Sequence, residues 1–472
     1  PADINGVTLG SLTSIAVSGD LMAVAVPADV KTDNGYVLFY NGLDSSAPAF
    51  LDSVEVGALP DMVTFTPDGG KVLVANEGEP SDDYTIDPEG SVSVINILAS
   101  GEPEETGTTV GFTALNGTEA DLMAQGMMFP NPAGRTINGT AITSTVAKDL
   151  EPEYITATND VAYVSLQENN GLAIIDLEEL TVDVVGLGTK SWAGLNIDIQ
   201  ENDAVSFGQY TGIYGVYQPD TIANFTWKDA TFILTANEGD AREYFFDAAD
   251  EAACTAAGGV DFDEDDGCLA YTDEVKVEDL TAAANSELAM LQATGEADDL
   301  RVTSAMGDAD GNGEYDAAYA YGARSFTIWD QNGLVVYDSG DDFERITASV
   351  HGAQFNNGDD ENASDSRSEN KGPEPEALTV GQVGDRTYAF IGTERMGGIF
   401  VYDVTNPYDV QFAEYVINRD LTEGLTSDDV IGDLAPESLV FVSAEDSPSG
   451  VPLLVVGNEV SGTVTVWQIN QL

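Results

Sequence analysis

The sequence is poor in basic residues and in the residue types on which many enzymes depend. Of its 472 residues only 16 are Lys or Arg, and one, His351, is a histidine. Phosphate backbones are bound through Lys and Arg, so we expect no nucleic-acid partner, and an anionic membrane surface is disfavoured for the same reason. A single imidazole excludes histidine-rich zinc sites, and no GxxxxGK[ST] phosphate loop occurs. We expect His351 to be an ordinary surface or turn residue.

Long hydrophobic runs and cysteines are scarce as well. No segment reaches the run of about 18 apolar residues that a transmembrane helix requires, so none is predicted. The two cysteines, Cys254 and Cys268, flank the acidic stretch VDFDEDDG. A disulfide that closes this loop is expected in an oxidising compartment, and two buried free thiols are the alternative. The chain opens at PADING without an initiator Met or a visible signal peptide, which is typical of a processed, exported protein.

What the sequence has in excess is acid. Its 83 Asp and Glu residues give a formal net charge of −67, and such self-repulsion opposes compaction unless cations screen or bind it. The hydrophobic content of 43% is nevertheless ample for a packed core. One interpretation is salt adaptation, and the other is Ca²⁺ binding by Asp, Glu and Asn oxygens. Either interpretation points to a saline, calcium-containing exterior.

One pattern recurs along the chain: a Pro, an acid, a short strand, a polar turn, a second strand and a Glu. It is clearest in LPDMVTFTPDGGKVLVANEGEP and is found at 59–80, 150–177, 218–243, 373–404 and 435–469. The period-two alternation of apolar residues, with Gly, Asn and Asp at the turns, predicts antiparallel hairpins. The segments 11–42 and 300–340 look like degenerate copies without the acidic pair.

Seven such units predict an all-β fold, and we expect a single seven-bladed β-propeller domain over 1–472. Loop insertions are expected at about 100–148, 186–217 and 244–299, the last with a helix near 279–293. A two-domain β-sandwich is the alternative. That alternative leaves the repeated spacing of the Pro–acid pair and the Glu without an explanation.

Equivalent positions of successive propeller blades form a ring, so the recurrent acids are expected at one mouth of a central channel. The acids after each Pro are Asp61, Glu153, Asp220, Glu376 and Glu437. Those at the end of the next strand are Glu77, Glu168, Glu238, Glu394 and Glu459. Like charges at this density bind metal, pair with Arg or Lys, or raise their pKa values. We expect Ca²⁺ at this ring, whereas the alternative is that some acids cap turns by accepting backbone N–H bonds.

Several of the scarce cations lie close in sequence to ring acids. Arg242 and Arg395 follow Glu238 and Glu394. Compensation of the ring charge is the simpler interpretation, and an anion clamp of metal and guanidinium on phosphate oxygens is the other. The candidate catalytic residues on that second interpretation are Glu238, Arg242, Arg367, Lys371, Glu394 and Arg395.

The sharpest single motif is DADGNGEYD at 308–316. Its spacing matches the start of a calcium loop, but the Glu that closes an EF-hand is replaced by Tyr319. The loop instead resembles those in the hairpins of integrin-type propellers. The predicted Ca²⁺ ligands are Asp308, Asp310, Asn312, Glu314 and Asp316. The stretch DFDEDDG, with Asp261, Asp263 and Asp265, is a second and weaker candidate, and for both stretches a plain acidic turn is the alternative.

With these motifs in view, the chain resembles the choice-of-anchor I family of secreted bacterial β-propellers over nearly its whole length. The matching blocks are NEGEPSDDYTIDPEGSVSVI, KDLEPEYI, TANEGDAREY, GARSFTIWDQNGLVVYDSGDDFE, DSRSENKGPEPEAL and GTERMGGIFVYDV. This family is similar to the mesenchyme-specific cell-surface glycoproteins of biomineralising animals. Its members are labelled alkaline-phosphatase-like or likened to calcium-dependent phytase propellers. The family name refers to C-terminal anchoring signals, and the resemblance implies an extracellular protein at the cell surface of a marine or salt-adapted bacterium. Because the chain stops at Leu472 directly after its last strand, we expect an anchor that has been removed or another means of attachment.

Two functions from different classes follow. The first is a structural cell-surface protein whose copies assemble through Ca²⁺-bridged contacts into a surface layer (S-layer), with cell-surface polysaccharide as a further partner. The second is a calcium-dependent phosphoesterase, similar to alkaline phosphatase or phytase, that uses the channel acids with Arg and Lys. We favour the first function because catalytic residue types are scarce and because labels shared across a fold are weak evidence of activity.

Overall fold

A computed structural model describes residues 2–44, 47–131, 133–137, 139–263 and 267–470. The chain is built mainly of antiparallel strands, which confirms the predicted all-β class. It divides into two compact units. Unit 1 comprises Pro1–Gly186 and Ala241–Asp273, and unit 2 comprises Leu187–Asp240 and Glu274–Leu472.

Unit 1 contains three four-stranded antiparallel sheets, each with its strands in sequence order. The first contains β3 (Ser14–Ser18), β4 (Leu21–Val26), β5 (Asn34–Asn41) and β6 (Ala49–Ala58). The second contains β7 (Pro60–Phe65), β8 (Lys71–Asn76), β9 (Ser91–Asn96) and β10 (Thr108–Gly111). The third contains β13 (Ile155–Ala157), β14 (Val161–Leu166), β15 (Gly171–Asp176) and β16 (Thr181–Gly186). The apolar alternation of the sequence therefore corresponds to regular sheets here.

Shorter elements complete unit 1. The hairpins are β1 (Asp3–Ile4) with β2 (Val7–Thr8) and β11 (Thr136–Ile137) with β12 (Thr140–Ala141). A small sheet contains β21 (Glu243–Phe246), β22 (Asp261–Asp263) and β23 (Gly267–Thr272). The helices are α1 (Glu119–Met123), α2 (Val146–Asp149) and α3 (Glu251–Ala257), with a 3₁₀ turn at Thr113–Leu115. The Asp250 side chain caps α3 by accepting the backbone N–H of Ala253, and a disulfide joins Cys254 of α3 to Cys268 of β23.

Unit 2 contains three further antiparallel sheets. The first contains β19 (Ile222–Trp227), β20 (Ala230–Asn237), β27 (Ser325–Asp330) and β28 (Val335–Asp338). The second contains β29 (Pro375–Val383), β30 (Arg386–Thr393), β31 (Ile399–Asp403) and β32 (Gln411–Val416). The third contains β33 (Pro436–Val442), β34 (Leu453–Asn458) and β35 (Thr463–Gln468). Because β20 pairs with β27, the segments 218–243 and 300–340 contribute to one sheet and are not the separate units that the sequence predicts.

A five-stranded sheet in unit 2 departs from the repeat. It contains β17 (Thr189–Ser191), β18 (Ile213–Val216), β24 (Glu274–Lys276), β25 (Arg301–Thr303) and β26 (Ala318–Ala320), and β18 pairs with β26 in parallel. The helices are α4 (Glu287–Gln292) and α5 (Asp342–His351), with 3₁₀ turns at Val277–Asp279 and Gly352–Gln354. The helix predicted near 279–293 is thus shorter, and α5 is not predicted. His351 ends α5, and its ring lies edge-on to Tyr415 with centroids 5.8 Å apart.

Neighbouring sheets bury their apolar faces against one another within each unit. In unit 1, Leu73 of β8 belongs to the same buried cluster as Val164 of β14. In unit 2, Leu234 of β20 shares a cluster with Phe326 and Phe400. Each fully buried side chain of this kind contributes about 1.5–3 kcal/mol, so these clusters stabilise the sheets whose strands lead to the acids. Among the described residues, no helix is long and apolar enough to cross a membrane.

Candidate functional site

The Pro–acid motif adopts one backbone geometry in four of its copies. The residue before the Pro has a positive φ, of 49° at Leu59, 40° at Gln218, 51° at Glu374 and 54° at Ala435. In three copies its carbonyl oxygen accepts the N–H of the Glu that follows the next strand. These bonds run from Glu77 to Leu59 at 3.0 Å, from Glu394 to Glu374 at 2.8 Å and from Glu459 to Ala435 at 2.8 Å. The recurrent sequence spacing therefore reflects a recurrent junction between strands.

In unit 2 these junctions bring carboxylates together. Oxygens of Asp220, Glu238 and Glu376 lie within 4.8 Å of one another, and so do oxygens of Glu238, Glu374 and Glu394. Asp220 precedes β19 and Glu238 follows β20, while Glu376 lies in β29 and Glu394 follows β30. We call these five residues the carboxylate centre. Four of them are predicted ring acids, and Glu374 is an addition.

Three cations hold the centre, and all three contact Glu374, which is fully buried. Lys371 Nζ lies 2.9 Å from Glu238 Oε1 and 3.3 Å from Glu374 Oε2. Arg367 donates from Nε and Nη2 to Glu374 Oε1, each at 2.8 Å. Arg395 Nε lies 3.3 Å from Glu374 Oε2 and 3.1 Å from Glu394 Oε2. Glu374 is therefore the carboxylate that fixes the cations in place.

The acids of the centre separate into one that is held charged and three whose charged form is disfavoured. Burial alone would raise the pKa of Glu374, but Lys371, Arg367 and Arg395 outweigh it and lower that pKa. Burial raises the pKa of Glu394 to about 9, with Glu238 and Glu374 adding to the shift. Burial, followed by Glu238 and Glu394, also raises the pKa of Glu376 well above its usual range. For Glu238, burial raises the pKa in spite of Lys371.

This arrangement fits a divalent cation at Asp220, Glu238 and Glu376. Glu376 Oε2 is buried and has no hydrogen-bond partner within the described part of the chain. Burial disfavours the charged forms of Glu238 and Glu376, and a divalent ion beside these carboxylates would favour their charged forms instead. A purely oxygen donor set suits a hard cation such as Ca²⁺. The group of Glu238, Glu374 and Glu394 fits less well because Lys371 and Arg395 both contact Glu374, and Arg395 contacts Glu394 as well.

Glu437 and Glu459 lie at the margin of the centre. Burial, Glu238 and Glu394 raise the pKa of Glu376 most, and Glu437 adds a smaller contribution. Burial raises the pKa of Glu459, and Glu437 adds to that shift. Both side chains are more exposed than those of the centre, so they extend its negative field toward solvent.

Unit 1 gathers its own acids around Arg242. The guanidinium of Arg242 is buried, pairs with Glu151 and lies 3.6 Å from Glu168 Oε2. Burial raises the pKa of Glu77 well above its usual range, and Asp61, Glu79, Glu151 and Glu168 add to that shift. Arg242 enters the prediction through its place after Glu238, but the structure assigns it to the acids of unit 1. Glu153 precedes β13, and its N–H donates to Ser165 O at 3.2 Å.

The loop 308–316 is exposed, and its side chains cap its own turn. Asp308 accepts the N–H of Asn312 at 3.0 Å and that of Gly313 at 2.7 Å. Asp310 accepts the Asn312 N–H at 3.3 Å, and Asn312 accepts that of Glu314 at 2.6 Å. The N–H of Asp316 donates to Gly307 O at 2.9 Å. Ca²⁺ at this loop stays a prediction.

The second predicted loop lies partly in a strand. Asp261 and Asp263 are the first and last residues of β22 and are exposed on one face of it. Asp265 lies outside the described residues. Ca²⁺ there also stays a prediction.

Two acids that the sequence analysis missed pair with the cations of these two clusters. Glu151 pairs with Arg242, and Glu374 contacts Lys371, Arg367 and Arg395. Each is the residue directly before the Pro of its motif, in LEPEYI and in PEPEAL. An acid on both sides of the Pro is therefore the signal that would have found them.

The chain belongs to the choice-of-anchor I family, since the Choice-of-anchor I domain matches residues 2–407. Gigasin-3a from Magallana gigas is 30% identical over 172 residues, which are 34% of this chain and 61% of that protein. Mesenchyme-specific cell surface glycoprotein from Strongylocentrotus purpuratus is 30% identical over 286 residues, which are 55% of this chain and 35% of that protein. The chain therefore spans less than two thirds of the length of either relative.

Two solved structures are similar over most of the chain at low identity. The Cps50 (Swd1) β-propeller domain of Myceliophteria thermophila is 8% identical with a TM-score of 0.36. The alignment covers 98% of this chain and 84% of that domain. Sqt1 from Saccharomyces cerevisiae is 8% identical with a TM-score of 0.36, and the alignment covers 98% of this chain and 96% of that protein. Similarity at this level carries no argument about function.

Proposed function

We propose that this protein is an exported, strongly acidic cell-surface protein with a structural role, in which the carboxylate centre binds Ca²⁺. The observation that carries the proposal is the convergence of Asp220, Glu238 and Glu376, with Glu376 Oε2 buried and lacking a hydrogen-bond partner in the described chain. Membership of the choice-of-anchor I family and a relative named for the cell surface support the location.

Ca²⁺ also gives a route to assembly. A chain with a net charge of −67 repels its own copies, and divalent ions shared between acidic surfaces convert that repulsion into cohesion. We propose that copies associate through such contacts into a surface layer, in the saline, calcium-containing exterior of a salt-adapted bacterium.

Calcium-dependent phosphoester hydrolysis is the second candidate, and the contacts of the cations weigh against it. A phosphoryl clamp needs Arg and Lys donors directed at the substrate. Lys371, Arg367 and Arg395 instead contact the buried Glu374, which is the geometry of charge compensation. The structural role is therefore the better supported of the two functions.

The fold proposal that accompanies this function is a propeller. Antiparallel sheets of three or four strands in sequence order, packed face to face, are typical of propeller blades. A single propeller of seven blades over 1–472, with insertions at about 100–148, 186–217 and 244–299, stays a prediction.

Electron microscopy of chelator-treated protein, as Ca²⁺ is added back, tests the proposed function. We expect ordered sheets that appear with Ca²⁺ and dissolve with chelator. Particles that stay single at every Ca²⁺ concentration would overturn the layer. Comparing sheet formation by Glu376→Gln and Asp310→Asn then shows which Ca²⁺ site assembly requires. The first change removes a ligand of the carboxylate centre, and the second removes a predicted ligand of the 308–316 loop.

A further inference from the structure

Unit 1 contains a cavity of about 320 Å³ whose lining includes none of the predicted ring acids. Three stretches of chain line it. The loop after β8 supplies Tyr84 and Asp87, the segment that leads into α2 supplies Asn131 and Thr140, and β21 supplies Tyr244. Its volume is at the lower end of the range of about 300–1,000 Å³ that small-molecule sites occupy.

One side of the cavity is apolar and rigidly held. The rings of Tyr84 and Tyr244 meet edge to face with centroids 5.2 Å apart and planes at 77°. Tyr84 Oη donates to Phe245 O at 2.7 Å, which fixes the ring although Tyr84 has a φ of 56°. Thr140 Oγ1 donates to Asp83 O at 2.8 Å and ties the facing segment to the same loop. The apolar wall is thus preformed.

The other side is polar, and its hydrogen bonding is incomplete. Asn131 Nδ2 donates to Tyr244 Oη at 3.3 Å, while Asn131 Oδ1 is buried without a partner in the described part of the chain. A buried acceptor left in this state is unfavourable. Lys148 Nζ lies 3.5 Å from Asp87 Oδ2, which is longer than a normal hydrogen bond. A ligand hydroxyl group that separates Lys148 from Asp87 can accept from Lys148 and donate to Asp87.

We propose that this cavity binds a neutral carbohydrate, one pyranose unit with its C–H face toward the tyrosines and its hydroxyl groups toward Asn131, Asp87 and Lys148. Each hydroxyl both donates and accepts. It can therefore donate to Asp87, accept from Lys148 and, after a small rotation of the Asn131 side chain, satisfy Asn131 Oδ1.

The charges of the cavity disfavour the other ligand classes. Asp87 neutralises Lys148, and the negative charges of Asp82 and Glu79 act on Tyr84, so an anion such as phosphate meets no surplus of positive charge. A divalent cation would find one carboxylate, Asp87, among the lining side chains. A neutral polyhydroxyl ligand matches the balanced charges and the mixture of apolar and polar walls.

Saturation-transfer NMR on the full chain, with methyl α-D-glucopyranoside, galactopyranoside and mannopyranoside, tests the proposal. We expect at least one glycoside to bind. Asn131→Leu should weaken that binding about tenfold, the value of one hydrogen bond. Asp87→Asn, which keeps the side-chain shape, should weaken it in the same direction and covers the case in which Asn131→Leu does not fold.

The control is Gln209→Leu, which likewise replaces a side-chain amide with an isobutyl group, in a separate cavity of unit 2. It should leave glycoside binding unchanged. Failure of all three glycosides to bind the wild-type protein would overturn the proposal, and so would binding that survives both Asn131→Leu and Asp87→Asn at full strength. Inorganic phosphate or L-serine bound in preference to every glycoside would also overturn it.

Discussion

Lys371 Nζ links two acids of the carboxylate centre, since it lies 3.3 Å from Oε2 of the fully buried Glu374 and 2.9 Å from Oε1 of Glu238. Arg367 and Arg395 converge on Glu374 as well. The centre is therefore organised around an acid that does not belong to the predicted ring. Its stability should depend on Glu374 more than on any exposed acid nearby.

Replacing Glu374 by Gln should destabilise the protein by about 3–5 kcal/mol, because three partly buried cations lose the charge that compensates them. Gln is compatible with the backbone here, since Gln218 occupies the equivalent position with a φ of 40°. The free energy of unfolding from urea titration measures the effect. The control Glu437→Gln alters an exposed acid and should change stability by less than about 0.5 kcal/mol. Equal effects of the two changes would contradict the role of Glu374.

Replacing Gly322 by Ala should disturb Glu238 through the backbone. Gly322 has a φ of +67°, and a Cβ there would lie 1.9 Å from Glu238 O. We expect a loss of stability well above the strain of about 1 kcal/mol that Ala suffers at positive φ. Gly462→Ala is the control, with a φ of +60° and nothing within 4 Å of the added Cβ. Urea titration of both variants separates the backbone strain, which both share, from the steric clash with Glu238 O, which only Gly322→Ala has. Equal losses of unfolding free energy in the two variants would contradict the predicted clash.

The buried carboxyl of Asp198 should make stability depend on pH. Burial raises the pKa of Asp198 to about 6, and Asp365 and Glu344 add to the shift against the backbone N–H groups of Ser206 and Gln200. The folded state thus binds this proton more tightly than the unfolded state. Its contribution to stability is complete below the unfolded pKa of about 4 and is lost as pH rises through about 6.

In Asp198→Asn this part of the pH dependence should vanish. Urea titrations at several pH values between 4.5 and 7.5 measure it as the difference between variant and wild type. Asp409→Asn, in an exposed turn, should retain the wild-type slope. A slope in Asp198→Asn that equals the wild-type slope would mean that other groups titrate in this window.

Removal of the disulfide should weaken the part of unit 1 that it closes. Cys254 and Cys268 are 14 residues apart, and closure of a loop of this length stabilises by about 3 kcal/mol. Cys254→Ser with Cys268→Ser should therefore raise hydrogen exchange in α3 and β23. Exchange in β14, which the disulfide does not touch, is the internal control. Unchanged protection of α3 and β23 would contradict this expectation.

Much of the fold could be predicted from the sequence because its strands alternate with a period of two and its turns carry Gly, Asn and Asp. Strand pairing is harder to predict. The partner of β20 is β27, and between them lies the long segment that holds β21–β26. The alternation pattern assigns each hairpin to its own repeat unit. It contains no local signal that a long insertion separates two strands of the same sheet. The parallel pair of β18 and β26 escapes prediction for the same reason.

The candidate site was predictable where it depends on repetition and hidden where it depends on charge pairing. Asp220, Glu238, Glu376 and Glu394 follow from the recurring motif and do converge. Glu374 does not follow from it, because the position before Pro holds Leu59, Gln218 or Ala435 in the other copies with this geometry. The spacing of the motif does not report which carboxylate holds a cation, and the sequence marks Glu374 only by the second acid beside Pro375.

Calcium titration of chelator-treated protein by isothermal calorimetry is the measurement that tests the central claim most directly. The wild-type protein should bind Ca²⁺, and Glu376→Gln should lose one class of sites because a ligand of the carboxylate centre is removed. Asp310→Asn should keep that class. A titration of Glu376→Gln that matches the wild type would contradict a calcium site at Asp220, Glu238 and Glu376.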